Sequence, residues 1–180
     1  MDGDKKFTFK KSTCERYDIR FGQWGWAIIT IDENGGLFNA QSDYGNYSYS
    51  WPGHGRKSFK HFILELAKDS SYFLNKVADD NFYYQYETET NWKKRIIEDR
   101  KEGELTKEKA RVLFDITKDV DFSTAESCVR DLYDHKEVWD IYPEPWYIFN
   151  AETGYSPIAI RFAKEVMPMF AEILREEIQR

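Results

Sequence analysis

Cysteine is scarce in this chain: 180 residues hold two, Cys14 and Cys128, set far apart. Two cysteines allow one disulfide, but a chain of this length can bury a core without it. The expected setting is a reducing cytosol, with the pairing of the two thiols left open. Long apolar runs are missing too. No stretch approaches the roughly 18 residues that a membrane span requires, and MDGDKKFTFKK has no apolar h-region. A cytoplasmic protein with no membrane partner is expected. Basic excess is also absent, since the formal net charge is −6. A general nucleic-acid binder needs a basic footprint to displace counterions from phosphates, so no direct nucleic-acid binding is expected. Carboxylates offered to a basic partner remain open beside ordinary solubilising charge. No internal repeat, low-complexity tract or linker stands out. The reading is therefore one α+β domain over 1–180, with a meander over about 7–51 and a helical part over about 58–180.

What is abundant is aromatic. Phe, Trp and Tyr make up 17%, including twelve Tyr and six Trp. Each Tyr and Trp carries a polar atom that wants a partner, so burying all of them is costly. These residue types are also enriched at recognition surfaces. The densest patterning runs from Trp24 to Trp51. Phe7-Thr8-Phe9 suggests a short strand or arm, and Arg16 to Phe21 alternates weakly. Trp26 to Ile31 is apolar on both faces and reads as a central strand. Asn34-Gly35 signals a hairpin. Leu37 to Ser42 returns, Asp43 to Asn46 turns, and Tyr47, Tyr49 and Trp51 share one face of a last strand. The expected architecture is an N-terminal antiparallel β-meander packed against several α-helices, with a long C-terminal helix.

Ser58 can cap a helix whose stripe is Phe59, Phe62, Ile63 and Leu66. A second helix is expected over Ser71 to Ala78, and a loop or irregular strand over Asn81 to Thr90. Trp92 to Glu102 and Thr106 to Lys118 read as a charged αα-hairpin, broken by Gly103. Ser123 and Glu126 form a capping box for a helix to about His135. Trp139 to Pro145 reads as loop and Trp146 to Phe149 as a late strand. The final helix runs from Ile158 to about Glu177 on the stripe Ile158, Phe162, Val166, Phe170 and Ile173. Pro168 should kink or loosen it.

Candidate chemistry is thin. In Trp51 to Ser58, a helix start meets His54, Arg56, Lys57 and Ser58, a place where a phosphate or carboxylate could sit. The glycine spacing is not that of a P-loop. His61 and Glu65 share a helix face, but no HExxH or cysteine pair completes a metal site. Cys128 and His135 lie seven residues apart on one helix, about 10 Å of rise, too far for a nucleophile and its base. Asp131 and His135 are spaced for a surface pair. Asp79, Asp80, Asp115, Asp119 and Asp121 read as solvated carboxylates. Neither metal nor other cofactor is expected, and no catalytic residue is assigned. Tyr47, Tyr49 and Trp51 are core if a helix covers their face and a binding platform if it stays open.

The stretch ITIDENGGLFNAQSDYGNYSYSW followed by SFKHFILEL, then a charged helical hairpin, EPWY and a final helix, resembles small proteins encoded by bacteriophages and prophages. The resemblance implies a phage accessory protein acting in a bacterial cytoplasm. Its leading implication is a non-enzymatic protein that binds and modulates or inhibits a host protein, including anti-CRISPR-like inhibition of defence systems. Tyr44, Tyr47, Tyr49 and Trp51 would be its aromatic anchors. Asp43, Asp79 and Asp80 would steer a basic or nucleic-acid-binding host protein. An alternative is a small enzyme, or a small-molecule or anion binder, with a cleft near His54, Arg56 and His61. A second alternative is a structural or assembly protein. Oligomeric state is left open.

Overall fold

A computed structural model of the chain describes residues 7–180. In chain order, β1 (Glu15–Phe21), β2 (Gly25–Asp32), β3 (Leu37–Ser42) and β4 (Gly45–Ser50) come first, then α1 (Phe59–Leu66) and α2 (Ser70–Val77). Next are β5 (Phe82–Tyr83), α3 (Gln85–Glu102), α4 (Lys107–Asp119), α5 (Ala125–Tyr133) and α6 (Lys136–Ile141). A 3-10 turn at Pro145–Tyr147 and β6 (Thr153–Gly154) lead to α7 (Pro157–Arg161), a π-helical turn at Phe162–Val166 and α8 (Met167–Gln179). The α+β class, the N-terminal meander and the long C-terminal helix expected from the sequence are all present. Phe7 and Phe9 form no strand and are exposed. Where the sequence suggested one domain over 1–180, the chain clusters into two compact units. The first runs to Asp79 and resumes at Tyr155; the second is Asp80–Gly154.

The first unit is the sheet, in order β1-β2-β3-β4, with α1, α2, α7 and α8. Register sets its faces: Ile29 pairs with Ala40, Ile31 with Phe38, and Ala40 with Tyr47. Directly paired residues share a face, so Ala27, Ile29, Ile31, Phe38, Ala40, Tyr47 and Trp51 are buried together. Their lid is Phe59 and Ile63 of α1, Phe73 of α2, and Phe162, Val166 and Phe170 of the C-terminal helix. The β2–β3 hairpin turns at Glu33–Gly36 and places its left-handed residue one position later than the Asn-Gly pair suggests. Gly36 has φ +65°, and a Cβ there would lie 2.2 Å from the Trp51 carbonyl oxygen. Glycine is what lets the two backbones approach.

Pro168 acts on the turn before it. Lacking an N–H and crowding the carbonyl four residues back, it cannot sit in a regular α-turn. The helix widens at Phe162–Val166, where Met167 N–H reaches the Phe162 carbonyl, five residues back. That extra residue rotates the apolar stripe. Ile158 and Ile173, expected inward, are exposed, while Ala159, Ala163, Met167 and Leu174 are buried.

The second unit closes around Trp92, Leu113, Cys128, Leu132, Val138 and Phe149. Here four readings need correction. Asn81 to Thr90 is mostly helix, because α3 starts at Gln85. Thr88 is fully buried, donates to the Tyr84 carbonyl (2.8 Å) and accepts from Glu152 N–H (2.9 Å), so tertiary bonds hold a segment of weak propensity. Trp139 to Pro145 is not all loop: buried Val138, with partly buried Ile141 and Tyr142, pins α6. Trp146 to Phe149 is no strand, because Pro145 opens the 3-10 turn and its carbonyl accepts from Phe149 N–H at 2.8 Å. The α5 cap is Thr124 with Ser127, one residue beyond the expected Ser123 and Glu126. Gly103 ends α3 at φ 87°, as its position suggested. Buried Asp99 accepts from the Tyr142 hydroxyl. Arg95 Nε lies 2.8 Å from its other oxygen, an ion pair by distance whose angle leaves that oxygen without a directed hydrogen bond.

Candidate functional site

The aromatic face of β4 is covered. Tyr47 and Trp51 are 7% and 6% exposed, so they pack the sheet and drop out of the binding surface proposed for them. Trp51 meets Phe38, Phe59 and Phe62, and its Nε1–H donates to Tyr72 Oη at 3.2 Å. The Tyr47 hydroxyl donates to the Tyr44 carbonyl, and burial raises its pKa. Tyr49 lies on the same face but at the edge strand, half exposed, against Trp51 and near Lys76. Tyr44 is half-buried and engaged: its hydroxyl donates to Glu165 Oε2 (2.9 Å) and accepts from an Arg161 N–H (2.7 Å). The guanidinium carbon stands 4.6 Å from the Tyr44 ring centroid. The bonds from Arg161 and then Tyr44 hold the Glu165 carboxyl below its usual range. Asp43 accepts from Trp26 N–H at 3.1 Å and so anchors the start of β2.

The expected anion site is already filled by the chain. Glu33 Oε1 accepts from Phe59 N–H at 2.9 Å and its Oε2 from Lys60 N–H at 3.3 Å. A side-chain carboxylate thus occupies the N-terminus of α1, where the helix dipole favours negative charge. Ser58 caps the helix by accepting from His61 N–H, and its Oγ lies 2.7 Å from His61 Nδ1. Arg56 is fixed to Glu65, with Nε 2.8 Å and Nη2 2.7 Å from the carboxylate. His54 Nδ1 accepts from Arg56 N–H, and its ring rests against Phe59 and Phe62. Lys57 is exposed. The cleft residues His54, Arg56 and His61 therefore each engage at least one polar atom with a neighbour in the chain. His61 and Glu65 point to different partners, and among the described residues no group of three or more His, Cys, Asp or Glu is arranged to hold a metal ion.

Cys14 is exposed, Cys128 is buried, and both are free. Burial pushes the Cys128 thiol up, and it donates to the Ala125 carbonyl at 3.3 Å. Asp131 accepts from Asp121 N–H instead of pairing with His135. Asp121 accepts from Ser123 N–H, which holds its carboxyl below the usual range. Asp79 and Asp80 are exposed.

Sequence reasoning missed an exposed aromatic group in the second unit. Val138 points into the core, which turns Trp139 outward on α6. The 3-10 turn presents Trp146 and Tyr147. These three are 39%, 42% and 72% exposed. Trp139 and Trp146 rings are 5.8 Å apart, Trp146 and Tyr147 6.0 Å, and Tyr133 and Trp139 5.6 Å. Trp139 Nε1–H donates to the Tyr133 carbonyl at 2.7 Å, which fixes the indole while its face stays open. Asp134, Glu137, Asp140 and Glu144 flank these rings in the chain and are exposed. Lys136, also exposed, lies 3.7 Å from Asp140. The arrangement offers exposed aromatic anchors in a segment that also carries exposed carboxylates. The signal was in HKEVWDIYPEPWY, where aromatics alternate with acids around two prolines.

Fold and surface together define an α+β protein whose expected binding residues in the first unit are largely engaged and whose second unit displays a group of exposed aromatics. The model of a phage protein family matches residues 7–176, and the chain belongs to that family. Comparison with curated proteins and with solved structures finds no match. Among the described residues, no helix is long and apolar enough to cross a membrane.

Proposed function

We propose that this phage-family protein is a non-catalytic accessory protein that binds a host protein in the bacterial cytoplasm and modulates or inhibits it. Host defence proteins, CRISPR effectors among them, are the class that the phage setting favours. The observation that carries the reading is the exposed Trp139, Trp146 and Tyr147 group, flanked in the sequence by exposed Asp134, Glu137, Asp140 and Glu144. Large rigid aromatics gain much contact area for little lost rotamer freedom, and truncating a good anchor costs on the order of 2 kcal/mol or more. Carboxylates around them steer a basic partner and make association salt-sensitive. The partner's basic face is the same one that a nucleic-acid-binding host protein uses.

The test is capture from nuclease-treated host lysate with wild type and a Trp146→Ala/Tyr147→Ala double variant, at low and high salt. One host protein should be retained by wild type, released by salt, and lost from the variant, while circular dichroism of the two proteins coincides. Equal capture by both proteins, or capture of nothing by wild type, overturns the reading.

A further inference from the structure

The α3/α4 hairpin carries a second surface of different chemistry. Between the helices lies an open groove of about 540 Å³. Its floor is aliphatic and aromatic: Ile96, Ile97, Ala110 and Phe114. Ile97 is 45% exposed there. The rim is basic, formed by Arg100, Lys101, Lys107, Arg111 and Lys118 with one carboxylate, Asp115. Lys118 is engaged, 2.5 Å from Asp115 Oδ1 and 5.7 Å from the Phe114 ring centroid. The other four cations form no salt bridge among the described residues, although both helices carry ion pairs elsewhere.

Four unpaired cations around an apolar floor run against the −6 charge of the whole chain. Solubility alone asks only for charge of both signs, mixed. This combination selects its ligand. An apolar floor wants the apolar face of an amphipathic segment, and cations on the rim want carboxylates at the borders of that face. A helix laid in a groove presents its anchors at i, i+3, i+4 and i+7, and α4 is long enough, at about 20 Å, to seat three or more of its turns. A nucleic acid would use the cations and waste the aliphatic floor. A bilayer surface engages a protruding apolar face more readily than a recessed one.

We infer that the α3/α4 groove docks an amphipathic helix of a partner protein whose apolar face is bordered by Asp and Glu. The groove shares no residue with the aromatic group at Trp139, Trp146 and Tyr147, so the two readings can fail separately.

The experiment is a display selection on the full-length protein. The probe is a library of helical peptides of about 18 residues, with fixed leucines at the helix-in-groove spacing and randomised flanks. Selected sequences should be rich in Asp and Glu beside the leucines and should weaken with salt. They should lose about tenfold or more in affinity for a Lys107→Glu/Arg111→Glu variant. They should bind the Trp146→Ala/Tyr147→Ala variant as they bind wild type. Both charge-reversed positions are exposed, and an unchanged melting temperature excludes a folding explanation. An Ile97→Asp variant should lose binding independently. No enrichment, flanks without acidic bias, or indifference to both groove variants overturns the inference. Parallel titrations with phosphatidylserine vesicles, random-sequence DNA and the protein itself complete the test. Groove-dependent binding to any of these, in place of the peptides, reassigns the surface and also overturns it.

Discussion

Both units carry ion pairs, and they differ in how their candidate binding groups are engaged. In the first, several charges close on the chain itself. Glu33 caps α1, Arg56 holds Glu65, Lys60 bridges Glu15 and Glu177, and Arg161 joins Tyr44 to Glu165. In the second, the rim cations Arg100, Lys101, Lys107 and Arg111 form no salt bridge among the described residues, and Trp139, Trp146 and Tyr147 are exposed as a group, while the first unit exposes Trp24 in the β1–β2 turn. Satisfying a group internally stabilises a fold but removes that group from recognition. On the proposed reading, the first unit is a scaffold and the second the place where binding chemistry remains unspent.

The strongest way to break this division is to damage the scaffold. Phe38 is fully buried and meets Trp51, Phe73 and Phe170. Phe38→Ala should destabilise by about 3–5 kcal/mol through lost burial and a residual cavity. Urea unfolding followed by tryptophan fluorescence reads this directly. The fraction that stays folded should capture the host partner as wild type does. A folded Phe38→Ala protein with weakened capture would place part of the binding surface on the first unit.

Aromatics on the two units give a sharper contrast. Trp146→Ala/Tyr147→Ala should weaken partner binding by on the order of 2 kcal/mol or more. Tyr49→Ala, on the edge strand of the first unit, should leave it unchanged. Isothermal titration with the captured partner separates the two. The reverse ranking would return the anchor role to β4.

Much of the first unit was legible because its signals are periodic and long. The alternation of Trp26 to Ile31 placed β2 at the centre of the sheet, and the Phe59, Ile63 and Leu66 stripe placed α1 over it. The aromatic site was not legible, because a period-two pattern names a face without saying what covers it. Tyr47 and Trp51 are aligned with Tyr49, yet α1, α2 and the C-terminal helix bury the first two. In the second unit the elements are short and set by tertiary bonds: Thr88 holds the start of α3, and Val138 decides which way Trp139 points. Glu33 illustrates the same limit, since nothing in its local sequence says that it will reach α1 and fill an expected anion site.

The α5 cap tests one such one-residue misreading. Thr124 accepts from Ser127 N–H at 3.0 Å, and Thr124 N–H donates to Ser127 Oγ at 3.1 Å. Thr124→Ala should cost about 1 kcal/mol. Ser123→Ala should cost less, because the backbone N–H that Ser123 donates to Asp121 survives the change, although its side chain also reaches that carboxyl. Denaturant midpoints of the pair decide the register; a larger loss at Ser123 would restore the cap one residue earlier.

The smallest effect concerns the scaffold's own electrostatics. Lys60 Nζ lies 2.7 Å from Glu15 Oε2 and 2.8 Å from Glu177 Oε1, and the Tyr17 hydroxyl lies within hydrogen-bonding distance of the same two carboxylates. The hydrogen bond from Lys60 holds the Glu177 carboxyl below its usual value of 4.5, against the opposing effect of burial. Burial pulls the Lys60 ammonium down, but the bonds to Glu15 and Glu177 outweigh it and the pKa ends raised. A lowered carboxyl stabilises the fold above its unfolded pKa, and the gain disappears as pH falls through the folded value. A raised ammonium stabilises below its unfolded pKa, and that gain disappears only as pH climbs through the folded value, on the far alkaline side. The network should therefore contribute fully near neutrality and fade on the acid side. Both carboxylates are more than a third exposed, so screening keeps the contribution to about 0.2–1 kcal/mol. Lys60→Met should lower the urea midpoint slightly near pH 7, and the gap from wild type should close as pH falls through and below the usual carboxylate range. Added salt should narrow the same gap. A gap that persists unchanged in acid would mean that the Lys60 stem, packed between β1 and α8, matters through its methylenes and not through its charge.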